Sequence, residues 1–293
     1  MGARDPLQGS ASAARGGEDR EYDFRPKDFD RVRQLIYQRA GINLSEHKQN
    51  MVYSRLSRRL RVHGMRSFEQ YLDRFESDSA FGAEEAQEFV NALTTNLTSF
   101  FREGHHFPVL EQFLKECHAS APPKIWCAAA STGEEPYSIA ITMAEAAGNR
   151  SPGTLLATDI DTNVLASAAR GVYRLESAQA CGDARLKRHF LRGKGNNDGM
   201  VRVRPDLTKL ITFAQLNLLD HDWPLVRNFC PQLDAVFCRN VMIYFDRKTQ
   251  KEILRRIVQL LRPGGLLFVG HSENFTDCHE SVTLRGKTVY QRK

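Results

Sequence analysis

The stretch KIWCAAASTGEEPYSIAITMAEAA, residues 124–147, decides the fold class of this 293-residue chain. It begins with a short apolar run typical of a buried strand, continues through small residues and ends in an apolar helical segment. Pro136 stands in the predicted first turn of that helix, where proline is tolerated because the amide there has no intrahelical acceptor. The stretch therefore predicts a strand, a tight loop and a helix, which is the repeating unit of an α/β sheet.

The same alternation continues downstream. Strands are predicted at residues 154–158, 211–214, 234–238 and 266–270, helices at 162–170 and 248–261, and a closing hairpin around residues 285–287. Residues 171–209 interrupt the pattern with an amphipathic helix, a glycine-rich turn and an alternating Val/Arg strand. We therefore predict an α/β fold with a doubly wound, Rossmann-like parallel sheet and a small antiparallel insertion of two or three strands.

The segment before residue 94 has helical periodicity and almost no strand pattern. Asp28 is predicted to cap a first helix that Gly41 ends, and a second helix is predicted between Ser45 and Gly64. Residues 25–93 are thus predicted to form an all-α domain, and residues 94–293 the α/β domain. Residues 1–24 have no apolar secretion signal and are rich in small and charged residues, which predicts a disordered tail.

The composition indicates an ordinary globular protein, with 41% hydrophobic and 26% charged residues. No stretch approaches 18 consecutive apolar residues, so we expect no transmembrane helix and a cytoplasmic location. The six cysteines form no C-x-x-C pair and show no zinc-ligand spacing, which favours buried thiols in a reducing compartment. A net charge of +6 favours an acidic partner, whether nucleic acid, an anionic membrane or an acidic protein surface.

Small, acidic or amide residues follow the predicted strands. They lie at residues 129–135, 159–161, 215–218 and 239–245. Each alone could be an ordinary polar loop, but the carboxyl ends of parallel strands share one sheet edge, where open α/β proteins bind ligands. An acid after the second strand suits a ribose diol. Because the first loop contains one glycine, Gly133, a phosphate-free nucleoside such as S-adenosylmethionine is predicted rather than a dinucleotide.

Several long motifs carry a resemblance to a known family. They are TNLTSFFRE at 95–103, STGEEPYS at 131–138, DID at 159–161, NLL at 217–219, CRNVMIYF at 238–245 and GHSE at 270–273. From about residue 28 onward the sequence resembles the CheR family of chemotaxis receptor methyltransferases. The resemblance implies a class I methyltransferase fold that uses S-adenosylmethionine, with S-adenosylhomocysteine as product, to esterify receptor glutamates during sensory adaptation.

The resemblance also implies roles for individual residues. Cofactor contacts are expected at Asn96, Thr98, Arg102, Glu135, Asp159, Asn217, Leu218, Asn240 and Val241. Arg102 and Tyr244 are expected to border the transferred methyl group, and Arg102 to dock the incoming carboxylate. Whether Glu134 or Glu135 touches the cofactor stays open. Since glutamate has an ordinary pKa of about 4.3 and is ionised at neutral pH, no general base is required.

Basic residues cluster on the second predicted helix. They are Lys48, Arg55, Arg58, Arg59 and Arg61. A solvated face is the ordinary interpretation, but Lys48, Arg55 and Arg59 share one face, and the resemblance implies a docking surface for the acidic helical region of receptors.

The insertion offers a second candidate binding surface around Gly193, Gly195 and Gly199. It resembles a subdomain that pairs with a receptor C-terminal peptide in some family members, and strand addition is a known recognition mode. An ordinary surface hairpin is the alternative.

Two other functions compete with receptor methylation. A methyltransferase acting on nucleic acid suits the charge, but residues 240–244 lack the Pro-Pro-aromatic pattern of base amino-group methylation. A non-catalytic cofactor-binding regulator is opposed by intact Arg102 and Tyr244. We therefore expect receptors as partners, no nucleic acid, no membrane insertion and a monomeric enzyme. His105 and His106 are adjacent, but without a third ligand at matching spacing we expect no metal.

Overall fold

The computed structural model describes residues 20–117, 121–273 and 280–293. Most of the predicted tail, residues 1–19, lies outside this part of the chain, as does Cys278. The helices are α1 (Pro26–Ala40), α2 (Gln49–Val62), α3 (Phe68–Ser77), α4 (Ser79–Leu93), α5 (His106–Cys117), α6 (Glu134–Ala147), α7 (Thr162–Arg170), α8 (Leu175–Ala178), α9 (Asp183–His189), α10 (Pro205–Thr208), α11 (Pro224–Phe229) and α12 (Arg247–Leu260).

The strands belong to two sheets. They are β1 (Lys124–Cys127), β2 (Thr154–Asp159), β3 (Val172–Arg174), β4 (Phe190–Arg192), β5 (Met200–Val203), β6 (Ile211–Gln215), β7 (Leu233–Cys238), β8 (Leu261–Val269), β9 (Val282–Gly286) and β10 (Val289–Arg292). Within the described ranges, the larger sheet has the order β6-β2-β1-β7-β8-β10-β9. The first five strands in this order are parallel, and β10 runs antiparallel to both its neighbours.

The prediction of a doubly wound, mostly parallel sheet is confirmed. Strands β2 and β6 lie on one side of β1, and β7 and β8 lie on the other. The chain therefore changes direction across the sheet between β1 and β7, which is the topological switch point where such sheets bind ligands.

Strand β1 is apolar throughout its centre because helices cover both faces of the sheet. Ile125 and Cys127 pack into the core on one face. Trp126 packs into the core on the other face, and its indole N–H donates to Thr158 Oγ1 at 3.0 Å. This alternation fixes the register of the strand, since a slip of one residue would exchange the two cores.

The predicted insertion is a separate antiparallel sheet of β3, β5 and β4 in the described chain. It packs on the large domain through Tyr173 and Phe190, whose rings meet Phe100 edge-on at 4.9 and 5.6 Å between centroids. Gly193 is required here, because a Cβ at this position would lie 2.0 Å from the carbonyl oxygen of Asn197. Gly195 and Gly199 adopt φ values of +61° and +76° in the same turn.

Helices α1 to α4 form the predicted all-α domain around their own apolar core. The prediction that Asp28 caps α1 is wrong by one turn. Arg25 is the N-cap, and the Asp28 carboxylate accepts a hydrogen bond from the Arg25 backbone N–H at 3.0 Å. Gly41 ends α1 as predicted, with a φ of +66°. A Cβ on Gly41 would lie about 3 Å from Leu219 and Phe245, so this glycine also permits close approach of the two domains.

Helix α5 was not predicted from the sequence, although its positions Leu110 and Leu114 are fully buried. None of the described helices combines the length and the apolar content needed to cross a bilayer.

Candidate functional site

A cleft of about 460 Å³ opens at the carboxyl ends of β1, β2 and β7. Its volume is typical of small-molecule sites, and its place is the switch point of the sheet. Every residue predicted to bind the cofactor or act in transfer lines it: Asn96, Thr98, Arg102, Glu135, Asp159, Asn217, Leu218, Asn240, Val241 and Tyr244. The helical domain supplies Lys48 and Met51, so the cleft lies between the two domains.

The loop after β1 distinguishes the two neighbouring glutamates. Glu135 is buried and lines the cleft. Glu134 instead accepts a hydrogen bond from the hydroxyl of Thr132 at 2.6 Å at the start of α6. Of the two glutamates that the sequence left as alternatives, Glu135 is the one that lines the cleft. Gly133, with a φ of +100°, packs so closely on Tyr173 and Ala168 that a side chain would not fit.

A buried arginine holds Glu135 in place. Arg239 Nη1 donates to Glu135 Oε2 at 2.7 Å, and Arg239 Nη2 lies 3.5 Å from Glu103 Oε2. Burial raises the pKa of Glu135, and the guanidinium opposes that rise. Burial would also raise the pKa of Glu103, but the Arg239 charge and the Asn240 amide hold it below its usual value. One guanidinium between two carboxylates leaves an excess of negative charge, which suits a cationic ligand.

Arg239 and Glu103 had no predicted role. The sequence did contain a signal for Arg239, which is a charged residue directly after the fully buried end of β7. A charged side chain at such a position is buried only when it has a partner of opposite charge.

Asp159 is fixed by backbone amides at the end of β2. Its Oδ2 accepts from the Ser131 N–H at 2.8 Å and its Oδ1 from the Asp161 N–H at 3.0 Å. Burial raises the pKa of Asp159, and these two donors oppose the rise. A carboxylate has about four acceptor positions, so Asp159 keeps capacity for the hydroxyl groups of a ribose.

The segment that links the domains is anchored by Asp161. Its Oδ1 caps α7 by accepting from Asn163 and Val164 N–H groups. Its Oδ2 accepts from the Thr94 hydroxyl at 2.6 Å and from the Asn96 Nδ2 at 2.8 Å. The Asn96 amide therefore joins the domains, so any contact of Asn96 with a cofactor would use its remaining polar atoms.

Asn217 is engaged in a similar way. Its Nδ2 donates to the carbonyl oxygen of Arg39 at 2.8 Å, and its Oδ1 accepts from the Leu219 N–H at 3.0 Å. The carboxamide thus connects the loop after β6 to the end of α1, while the residue still lines the cleft.

Arg102 and Tyr244 stand at the mouth of the cleft. Arg102 Nη1 donates to the carbonyl oxygen of Leu97 at 2.8 Å, and the hydroxyl of Tyr244 lies 3.5 Å from the carbonyl oxygen of Thr95. Burial raises the pKa of Tyr244, so its hydroxyl is a donor at neutral pH. Arg102 is half-buried, and within the described ranges its guanidinium donates only to the Leu97 carbonyl oxygen, which leaves most of its donors available.

The loop after β7 is shaped by Glu273, which had no predicted role. Its carboxylate accepts hydrogen bonds of 2.6 to 2.9 Å from the backbone N–H groups of Gly270, Asn240, Val241 and Met242. Asn240 adopts a φ of +57° in this loop. Burial raises the pKa of Glu273, and the backbone donors oppose the rise.

The basic residues on and directly before α2 divide into those that are paired within the protein and those that are exposed to solvent. Arg59 is 18% exposed and forms an ion pair with the buried Glu85 at 2.5 Å. Arg55 donates to the carbonyl oxygens of Ala92 and Thr94. Arg61 is exposed and pairs with Glu21. Lys48 is exposed and lines the cleft, and Arg58 is exposed on α2. Arg59 is therefore a structural residue and does not belong to a free docking surface.

The expectation that the histidine pair lacks a third candidate ligand is wrong. Among the described residues, Glu103, His105 and His106 place ligand atoms within 4.8 Å of one another. Burial lowers the pKa of His106 to about 3, so its ring is neutral. However, Glu103 already faces the Arg239 guanidinium, whose charge opposes a metal cation at this position.

The geometry fits S-adenosylmethionine. Two buried carboxylates, Glu135 and Asp159, suit its amino group and its ribose, and the net negative charge of the Arg239 cluster suits its positive sulfur. A mostly parallel doubly wound sheet with this cleft at its switch point is the arrangement of an α/β protein that binds a nucleoside ligand.

Comparison with known proteins identifies the family. Residues 96–290 match the domain described as CheR methyltransferase, SAM binding domain, and residues 27–94 match the CheR methyltransferase all-alpha domain. The chain belongs to the CheR methyltransferase family. It is 52% identical to the chemotaxis protein methyltransferase of Salmonella typhimurium over 89% of this chain and 88% of that protein. It is 50% identical to chemotaxis protein methyltransferase 2 of Pseudomonas aeruginosa, over 93% and 95% of the two chains.

Proposed function

We propose that this methyltransferase transfers the methyl group of S-adenosylmethionine to glutamate side chains of chemotaxis receptors. The products are glutamyl methyl esters and S-adenosylhomocysteine. Similarity to named chemotaxis protein methyltransferases over nearly the whole chain supports this function. The observation that carries it is the cation of Arg102 at the mouth of a cleft whose interior bears Glu135 and Asp159. A carboxylate approaching from solvent would thus meet a positive group before it reaches the reacting carbon.

The reaction needs no proton transfer. Bound S-adenosylmethionine supplies an electrophilic methyl group on a positively charged sulfur. The glutamate oxygen forms a bond to the methyl carbon while the carbon–sulfur bond breaks and its electron pair stays on sulfur. Because the attack cancels opposite charges, water that solvates both groups slows it, and the protein contributes by excluding water and aligning the three atoms.

The residues at the mouth perform this alignment. Arg102 would receive the incoming carboxylate through a charge-assisted hydrogen bond while its other nitrogen stays on the Leu97 carbonyl. The protonated hydroxyl of Tyr244 would position the second carboxylate oxygen or the methyl group. Glu135, Asp159, Asn217, Leu218, Asn240, Val241, Asn96 and Thr98 would surround the cofactor.

The exposed cations near the cleft would orient the receptor. Lys48 lines the cleft and Arg58 is exposed on α2, and Arg61 keeps part of its charge available because its pairing with Glu21 is exposed to solvent. Acidic receptor helices would be attracted to this surface and turned toward Arg102. The enzyme would act as a monomer in the cytoplasm.

The insertion would bind a receptor C-terminal peptide by strand addition. Its edge strands β3 and β4 carry the exposed apolar residues Val172 and Leu191, which give an added strand both backbone partners and side-chain contacts. A titration with a receptor tail peptide, read by calorimetry, tests this part alone. If no heat of binding is detected at millimolar peptide, the insertion is an ordinary surface hairpin and does not bind the peptide.

The central experiment is a methyl-transfer assay with radiolabelled S-adenosylmethionine. Receptor-containing membranes should become labelled, and mild alkali should release the label, because carboxyl methyl esters hydrolyse there and N-methyl groups do not. Duplex DNA and RNA serve as competing acceptors and should stay unlabelled. Binding of S-adenosylmethionine without any labelled acceptor would favour the regulator alternative, and labelled nucleic acid would overturn the proposal.

A further inference from the structure

Two large apolar side chains are held in solvent at the mouth of the cleft. Leu97 is 81% exposed, more than any other large apolar residue in the described chain, and Ile243 is 50% exposed. Both line the same cleft as Arg102 and Tyr244. Single exposed apolar residues are ordinary, but two that converge on one opening are a pattern found at interaction sites.

The backbone fixes the exposure of both residues. The Leu97 carbonyl accepts a hydrogen bond from Arg102 at 2.8 Å. Ile243 lies in the 3₁₀ turn Met242–Tyr244, where the carbonyl oxygen of Met242 accepts from Gln250 at 2.9 Å and the Met242 N–H is bound by Glu273 at 2.8 Å. These contacts fix the backbone at or beside both residues, and both side chains leave apolar surface in water at this place.

The neighbouring residues indicate what covers this surface. The carbonyl oxygen of Leu97 accepts a hydrogen bond from Arg102, and Ile243 directly precedes Tyr244 in the chain. Met51 of α2, half-buried, lines the same cleft. An occupant must therefore present a carboxylate to Arg102 and apolar surface around it.

We propose that Leu97 and Ile243 form an apolar collar that packs against the receptor helix around the target glutamate. This inference rests on the proposed function. On a helix the residues three and four positions before and after a glutamate share its face. The collar would contact those positions, so it would favour glutamates whose same-face neighbours are apolar over glutamates set in a fully charged face. Covering the mouth would also remove water from the carboxylate, whose solvation slows the attack.

The test uses the variants Leu97→Ser and Ile243→Ser, singly and together. Leu284→Ser is the matched control, because Leu284 is 56% exposed in β9, three strands away from β7 at the far edge of the sheet. Affinity for S-adenosylmethionine is measured by calorimetry, and kcat/KM by methylation of receptor-containing membranes.

We expect unchanged cofactor affinity and a fall in kcat/KM on the order of 10-fold for each collar variant, with Leu284→Ser equal to wild type. Leu97→Met should restore most of the loss because it restores apolar contact. A second arm replaces the receptor residues four positions from the glutamate by Asp, which should reduce methylation by wild type far more than by the double variant.

The outcomes separate the two claims. If wild type labels no receptor, the proposed function itself fails. If wild type labels the receptor and the collar variants match it, or if they lose cofactor affinity instead, the collar alone is overturned. A loss of folding is checked by thermal unfolding, and Leu97→Asn provides a second polar variant with nearly the shape of the leucine side chain.

Discussion

Arg102 is a residue whose task can be separated from cofactor binding. One nitrogen of its guanidinium donates to the Leu97 carbonyl oxygen, and Arg102 lines the cleft. Arg102→Ala should reduce kcat on the order of 100-fold while cofactor affinity stays close to wild type, because docking of the carboxylate is lost. A radiolabelled-methyl assay and calorimetry measure the two quantities, with Arg102→Lys retaining the charge as the control. Wild-type turnover by the alanine variant would remove Arg102 from the mechanism.

His106 gives the molecule a pH-dependent stability. Its ring is fully buried, and burial together with the Arg239 charge lowers its pKa from 6.5 to about 3. Between these values the unfolded chain binds a proton that the folded chain does not, so stability is full above pH 6.5 and falls as the pH drops toward 3. The slope contributed by this residue is at most about 1.4 kcal/mol per pH unit.

Urea unfolding of wild type and His106→Gln between pH 7 and pH 5 checks this expectation. The free energy of unfolding of wild type should fall more steeply with decreasing pH than that of the variant. Parallel slopes would mean that the pKa of His106 is the same in the folded and the unfolded protein.

At the scale of elements, the loop between β7 and α12 depends on one carboxylate. Glu273 gathers the N–H groups of Gly270, Asn240, Val241 and Met242, and it thereby holds Asn240 in its left-handed conformation. Glu273→Gln replaces an acceptor oxygen by an NH₂ group that faces these donors. We expect cofactor affinity to fall about 10-fold, since a buried donor left unpaired costs roughly 1–3 kcal/mol. Calorimetry measures the change, and Glu252→Gln on the exposed face of α12 is the control.

The start and the exposed side of helix α2 give the prediction about receptor docking. The double variant Lys48→Glu and Arg58→Glu should raise the KM for receptor several-fold at low salt and leave cofactor affinity unchanged, because both cations are exposed and the proposed partner is an acidic receptor helix. Initial rates at two ionic strengths measure this, and the effect should shrink at high salt. Equal KM values at low salt would place docking on another surface.

The same helix shows where sequence reasoning stops. The prediction that Lys48, Arg55 and Arg59 lie on one helix is wrong for Lys48, which ends a 3₁₀ turn directly before α2, and the spacing does not reveal which cations are already paired. The partner of Arg59 is Glu85, which lies 26 residues further along the chain and meets it only after α2 and α4 pack. Helix boundaries were predicted well where Gly41 and Gly64 end the pattern, whereas Arg25 was missed as a cap because arginine rarely serves as one.

At the scale of the whole molecule, the cleft was predictable because sheet topology is a consequence of local pattern. Strand-like runs followed by Asp159, Asn217 and Asn240 implied one sheet edge, and these residues do line one cleft. Arg239 and Glu273 were not assigned roles, since their partners come from distant segments and no periodicity reveals them. The second wall of the cleft, formed by the helical domain, depends on packing between domains that a single sequence does not encode in any local signal.

Asp161 holds the helical domain, which forms this second wall of the cleft, against the large domain. A substitution of Asp161 therefore tests how packing of the two domains affects the cleft. Its Oδ1 caps α7 within the large domain, and its Oδ2 accepts from Thr94, the C-cap of α4, and from Asn96 in the segment that follows. Asp161→Asn keeps an acceptor for the cap but presents an NH₂ group to the Thr94 hydroxyl and the Asn96 Nδ2. These two donors then keep only the Asn91 carbonyl oxygen at 3.0 Å and Thr94 Oγ1 at 3.2 Å as acceptors among the described residues. Asp78→Asn is the matched control, because Asp78 caps α4 by accepting from Phe81 and joins no two domains.

We expect Asp161→Asn to lower the free energy of unfolding by about 1 kcal/mol, the net contribution of a typical hydrogen bond. It should also weaken cofactor binding, because Asn96 and Ser131, whose hydroxyl donates to the Asn96 carbonyl oxygen, both line the cleft. Thermal unfolding with and without S-adenosylhomocysteine measures both effects at once, since the stabilisation by a ligand grows with the logarithm of its concentration divided by its Kd. Equal ligand-induced shifts in Tm for Asp161→Asn and Asp78→Asn would show that the cofactor half of the cleft is complete without the helical domain. Only the receptor-facing half of the cleft would then depend on packing of the helical domain against the large domain.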